Sequence, residues 1–76
     1  MTERDLVIEF GYDLRDALKE YGITQKTLAK EAHIHPSVIN RYLHGEQLPS
    51  FRNLINIAYV LECELSDLVD ISDLID

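Results

Sequence analysis

The sequence predicts an all-α fold, a compact bundle of five helices, and three observations carry that expectation. Apolar residues recur three and four apart along most of the chain, which is the spacing of one helical face. Glycine, proline and hydroxyl residues stand where those faces break off, the positions at which helices are capped and stopped. The connections between them are a few residues long, and no repeat, low-complexity tract or linker interrupts the run.

Val7, Phe10, Leu14, Ala17, Leu18 and Tyr21 form the first stripe, with Arg15, Asp16, Lys19 and Glu20 between them, and predict a helix over Asp5–Tyr21. Gly22 supplies a left-handed stop, and Thr24 follows as the N-cap of a short second helix over Gln25–Ala32, with Leu28, Ala29 and Ala32 inward. Pro36 suits the first turn of a third helix, since its missing amide has no partner to lose there, and His35 becomes a weak N-cap. Val38, Ile39, Tyr42 and Leu43 are the inward stripe of that helix, which ends near His44 with Gly45 as its stop. Ser37, Asn40, Arg41 and His44 are left on its outward face. After a loop over Gly45–Pro49, Ser50 caps a fourth helix whose expected buried positions are Phe51, Leu54, Ile55, Ala58 and Leu61. Ser66 caps a fifth, carrying Leu68 and Val69.

At 76 residues the chain has room for one domain and for no appended enzyme domain. With 46% hydrophobic and 28% charged residues it lies in the globular range despite a net charge of -7. A single cysteine, Cys63, closes no intrachain disulfide, which points to a reducing, cytoplasmic setting. No apolar run reaches signal-peptide or membrane-span length, so a soluble, unprocessed chain is expected, with no membrane partner.

The overall acidity argues against a polyanionic partner, because Lys and Arg supply most non-specific nucleic-acid affinity. The distribution of charge argues otherwise. Residues 1 to 23 hold three basic and six acidic groups, residues 53 to 76 none and six, but residues 24 to 52 hold four and two. The middle third also holds all three histidines, His33, His35 and His44, which add positive charge beside a polyanion when protonated.

The second and third helices are joined by His33, Ile34 and His35, a three-residue turn with the spacing of a helix-turn-helix unit. Taken in order, Gly22-Ile23-Thr24-Gln25, Leu28-Ala29, Ile34-His35-Pro36-Ser37, Ile39-Asn40-Arg41-Tyr42, Gly45 and Leu48-Pro49-Ser50 resemble the Cro/C1-type (XRE-like) helix-turn-helix family of phage repressors and bacterial transcriptional regulators. The likeness continues through Leu54, Ile57-Ala58, Leu61 and Leu65-Ser66-Asp67-Leu68, covering roughly residues 10 to 69.

The resemblance implies a lambda-repressor-like DNA-binding domain spanning residues 1–76, with its helix-turn-helix core near residues 24–44 and an acidic tail near 70–76. It implies sequence-specific binding of double-stranded DNA by a homodimeric transcriptional regulator, with the third helix in the major groove and the second across the backbone. Ser37, Asn40 and Arg41 are then the base contacts, beside Pro36. Arg41 is best suited to guanine, whose O6 and N7 its fork bonds together, and Asn40 to adenine. Gln25, Lys26, Lys30, His44 and Arg52 are the expected backbone contacts. No cofactor, metal or catalytic residue is implied.

Three positions depart from the family pattern. His33 stands where a left-handed glycine is common, and histidine tolerates that conformation better than most residues. Leu18 and Leu43 occupy positions where members pair an arginine with a glutamate, and an apolar pair replaces a buried ion pair at little cost. Glu46 stands where a basic phosphate contact is common, which lowers the expected DNA affinity.

Two sharper readings fail on chemistry. The three histidines have no accompanying cysteine, and they are spread over a turn and two helix ends, so they read as surface or phosphate-adjacent groups and not as metal ligands. Glu62 and Glu64 form a pair of carboxylates, but they adjoin a solvated acidic tail with no pocket-forming sequence around them, so no enzyme is expected. From Glu62 to Asp76, Leu65, Leu68, Val69, Ile71, Leu74 and Ile75 alternate with six acidic groups, more apolar side chains than a single bundle hides. That surplus predicts a self-association surface or a contact with another protein. The rival to the DNA-binding reading is accordingly a protein-interaction module on the same scaffold, antitoxin-like or antirepressor-like, with weak or no DNA binding.

Overall fold

Four helices account for nearly all the residues described in this computed structural model, which are 2–63 and Leu68: α1 (Glu3–Tyr21), α2 (Gln25–Ala32), α3 (Pro36–Leu43) and α4 (Phe51–Val60). There is no strand among the described residues. The all-helical expectation holds, with four helices among the described residues where five were expected for the chain; the fifth, with its Ser66 cap, and the tail near 70–76 lie outside the described residues, apart from the buried Leu68.

Each helix starts at a side chain that accepts a first-turn amide. Thr2 and Asp5 form a reciprocal capping box, with the Asp5 amide 3.2 Å from Thr2 Oγ1 and the Thr2 amide 3.1 Å from Asp5 Oδ2. Those hydrogen bonds from Thr2 hold the Asp5 carboxyl below the usual carboxylate range. Thr24 accepts from the Thr27 amide at 3.1 Å and Ser50 from the Asn53 amide at 3.1 Å. Gly22, at φ 81°, closes α1 in the left-handed conformation, and its amide donates to Leu18 O at 2.8 Å.

α1 packs on α3, and α2 on both α3 and α4. Leu14, Leu28, Ile39, Ile57 and Leu68 lie fully inside, with Phe10 and Tyr42 meeting edge to face at 5.9 Å between ring centroids. Tyr42 is the largest of the fully buried side chains, and its hydroxyl accepts from Asn53 Nδ2 at 2.9 Å, so the core closes around a satisfied polar group. Leu18 and Leu43, each 8% exposed, are buried in the same cluster.

The inward face of α4 differs from the expected one. Leu54, Ala58 and Leu61 are buried as expected, but Phe51 is 64% and Ile55 43% exposed, and Ile57 is inside in their place. α4 is apolar on two sides, so periodicity admits two stripes; the one through Leu54, Ile57, Ala58 and Leu61 is the one covered. On α1, Tyr21 is 42% exposed where an inward position was expected, since the helix ends there against Gly22.

Gly11 sets how closely α1 approaches α3. A Cβ at this position would lie 2.8 Å from Tyr42 O and 3.1 Å from Leu43 O, so only glycine lets the two backbones meet. One turn along α1, Arg15 Nη2 donates to Leu43 O at 2.9 Å, satisfying a carbonyl that α3 leaves open at its last turn.

Gly11→Ala is therefore expected to lower stability, although alanine in place of glycine inside a helix normally gains about 1 kcal/mol. The opposed atoms are backbone and cannot swing aside, so overpacking of about 1–3 kcal/mol prevails. Thermal unfolding should show a lower Tm, and a higher one would mean that α1 and α3 sit farther apart. Leu43→Glu should cost about 3–5 kcal/mol by burying a charge without its partner. Adding Leu18→Arg should recover part of that loss in a double-mutant cycle, and additive losses would show that the two positions do not face each other.

Candidate nucleic-acid interface

The α2–α3 turn turns on two residues. His33 ends α2 in the left-handed conformation at φ 58°, the conformation the family's glycine takes at this position, with its amide 3.4 Å from Lys30 O. The next amide, that of Ile34, reaches back to Ala29 O at 3.0 Å, and the Ile34 side chain is buried. A residue with its side chain in the core thus anchors the turn. His35 then caps α3, its Nδ1 accepting from the Ser37 amide at 3.1 Å.

Anchored this way, α3 buries Ile39, Tyr42 and Leu43 and presents Ser37, Arg41 and His44 to solvent along one face, with Asn40 half-buried beside them. The four expected outward residues of α3 are thus together. Arg41 is not wholly unconstrained, since its Nη1 lies 3.5 Å from Gln47 Oε1 in the following loop. Sequence reasoning missed Gln47, because its approach depends on the loop turning back at Gly45, at φ 68°, and no local spacing signals it. His44 Nδ1 lies 2.7 Å from Asn40 O. A carbonyl only accepts, so Nδ1 carries a proton and Nε2 of the neutral ring is an acceptor; His44 donates outward only as imidazolium.

Gln25 and Lys26 open α2 and are exposed. Thr24 takes the amides of Thr27 and Leu28, leaving those of Gln25 and Lys26 with no acceptor among the described residues, at the positive end of the helix. Lys30 and Arg52 are exposed, and among the described residues neither they nor Lys26 forms an ion pair or side-chain hydrogen bond. Four cations and a line of hydrogen-bonding groups on α3 are thus available to an external polyanion. Glu46 is exposed in the loop after α3, its amide bonded to Arg41 O at 2.9 Å, and is the acidic exception.

The acidic groups gather elsewhere. An open cleft of about 660 Å³ is lined by Tyr21, Glu31, Tyr59, Glu62 and Cys63, and a second of about 530 Å³ by Asp13, Asp16, Glu20 and Glu62. The Glu62 carboxylate pushes the Tyr21 phenol above its usual range, and partial burial, with Asp16 beside it, pushes the Asp13 carboxyl up. Glu64, the expected neighbour of Glu62, lies outside the described residues. Among the described residues no group of three or more His, Cys, Asp or Glu side chains is placed to hold a metal, and no helix is long and apolar enough to cross a membrane.

The sequence pattern of the helix-turn-helix family matches residues 14–68. Among solved structures, the restriction-modification controller protein C.AhdI from Aeromonas hydrophila is similar at a TM-score of 0.78 and 27% identity, over 82% of this chain and 94% of that one. Comparison with curated proteins gives no match.

Proposed function

Because the chain belongs to the Cro/C1-type helix-turn-helix family, a family of DNA-binding transcription regulators, we propose that it regulates transcription by laying α3 in the major groove of double-stranded DNA. The observation that carries the reading is the single face of α3 on which Ser37, Asn40 and Arg41 lie together, with Ile39, Tyr42 and Leu43 buried behind it. Ser37, Asn40 and Arg41 read base edges, Arg41 pairing with guanine once its fork leaves Gln47. Gln25 and Lys26 bond a phosphate at the amino end of α2, where two amides and the helix dipole assist them. Lys30, Arg52 and protonated His44 complete the backbone contacts, which fix register without reading sequence. A similar fold in a restriction-modification controller protein makes transcriptional control the activity to assay first. No cofactor enters this mechanism.

The regulator works as a homodimer on two half-sites about one DNA turn apart. The surplus apolar residues after Glu62 support this, and α4 adds Phe51, Ile55 and Tyr59, spaced four apart and 64%, 43% and 84% exposed. The same stripe, with Glu46, also favours the second reading, a protein-interaction module that binds DNA weakly or not at all.

Selection of the purified protein against random duplex DNA at low salt should enrich a motif. On that motif, Arg41→Ala is expected to remove the preference for the selected site while leaving the fold intact, because the exposed side chain supports no core contact. Lys26→Ala should weaken binding to all duplexes alike and flatten the salt dependence by about one unit of slope. The ratio of specific to non-specific affinity at two salt concentrations separates the two effects, and an unchanged ratio for Arg41→Ala would shift the balance to the interaction module. Sedimentation at tens of micromolar should find a dimer, weakened by removal of residues 70–76. A monomer that binds DNA at full strength would rule out the dimeric mode.

A further inference from the structure

Two atoms of Ser37 converge on one nitrogen of His35. The Ser37 amide lies 3.1 Å from His35 Nδ1, and Ser37 Oγ lies 2.8 Å from the same atom. An amide only donates, so the bond that caps α3 requires Nδ1 to carry a lone pair, which puts the proton of the neutral ring on Nε2. The Ser37 hydroxyl then donates into Nδ1 as well, and its hydrogen is turned inward. Its oxygen offers only lone pairs to whatever lies outside.

Protonation of the ring reverses this arrangement. Nδ1–H donates to Ser37 Oγ, the amide loses its acceptor, and the hydroxyl hydrogen has to point outward. We propose that the His35–Ser37 pair sets the polarity of base reading at Ser37: an acceptor toward the groove while His35 is neutral, a donor once it is charged. The inference rests on the reading of α3 as the base-contacting helix. In the neutral state Ser37 selects a base edge that presents an amine, adenine N6 or cytosine N4. In the charged state it selects an acceptor, guanine O6 or N7 or thymine O4.

Among the described residues nothing else competes for the ring. His35 is exposed, and among the described residues its hydrogen bonds go to Ser37 alone. The titratable groups on the elements packed around α3 are Lys26, Lys30 and Glu31 on α2, Glu3, Arg4, Asp5, Glu9, Tyr12, Asp13, Arg15, Asp16, Lys19, Glu20 and Tyr21 on α1, and Arg52 and Tyr59 on α4, with His33 in the turn, Arg41 and Tyr42 on α3 itself and His44 at its end. None of them is bonded or ion-paired to His35 among the described residues. His33 and His44 form no hydrogen bond with Ser37 among the described residues, so neither sets the polarity of its hydroxyl.

Two measurements test the pair. Long-range ¹H–¹⁵N spectra of the DNA-free protein should find neutral His35 with its proton on Nε2 and a second proton arriving at Nδ1 on acidification; a neutral ring protonated at Nδ1 would overturn the proposal. Selection from a random duplex library at about pH 8 and about pH 5.5, which bracket the usual imidazole titration, should give motifs that differ at one base pair per half-site. The preference there should change roughly three- to tenfold, the worth of one net hydrogen bond. His35→Asn retains a cap that does not titrate in this range and should give one motif at both pH values. A wild-type motif identical at both pH values, or a His35→Asn motif that still shifts, would overturn the proposal. No enriched motif at either pH would count against the DNA-binding reading itself and take the base-reading claim with it.

Discussion

The closeness of α1 to the carboxyl end of α3 governs the rest of the molecule. At Gly11 the two backbones approach within a distance that excludes any Cβ, and one turn later Arg15 bonds the Leu43 carbonyl. A short helix of eight residues has little stability of its own, so its pose comes from what it packs against. Here that pose is set by backbone atoms, which cannot change rotamer. Phe10 against Tyr42, and Asn53 against the Tyr42 hydroxyl, then tie the same helix to α1 and to α4. α3 is thus gripped from two sides through one buried tyrosine, while its opposite face stays exposed.

The other end of α3 is held by its cap and by the turn before it. His33 occupies a conformation that costs an ordinary residue about 1–2 kcal/mol. Burial of Ile34, with its amide bonded to Ala29 O, offsets that cost. The imidazole cap that follows is the more consequential substitution. A serine or aspartate cap is an acceptor throughout the neutral range, whereas an imidazole is one only while unprotonated. Placing it next to Ser37 couples the start of the helix to the first polar side chain on its outward face.

Features written in neighbouring residues were legible in the sequence. Thr24, Ser50 and Gly22 cap helices as read, because capping is a contact within one turn, and α2 has the predicted limits. The outward set on α3 was legible too, since the inward stripe of Ile39, Tyr42 and Leu43 admits only one orientation. α4 was legible only in part: Leu54, Ala58 and Leu61 lie inward as read, but Phe51 and Ile55 continue that stripe as well as Ile57 does, and the choice between them is made by the packing on α2. Gly11 went unread, because the backbone it meets is a tertiary fact that no local spacing carries. Gln47 beside Arg41 and Arg15 beside Leu43 O are likewise partners across a loop or between helices, out of reach of any periodicity.

The charge of the chain has to be read by place and by screening together. A net charge of -7 would repel a polyanion if it acted as a whole. The molecule measures 31 × 22 × 21 Å, roughly three to four times the Debye length of about 8 Å at physiological ionic strength. None of the residues lining the two acidic clefts belongs to α3. Charges a Debye length or more from a bound phosphate are largely screened from it, so on the proposed mode of binding a duplex at α3 would meet the nearby cations more than it would meet the sum. As salt falls, the screening length grows and the acidic groups reach further, which opposes the usual strengthening of nucleic-acid binding at low salt. On the proposed reading, the acidity of the body therefore weakens indiscriminate attachment more than attachment that also makes base contacts. On the proposed mode of binding, discrimination would rest on the few side chains of α3 whose pose the Gly11 contact fixes.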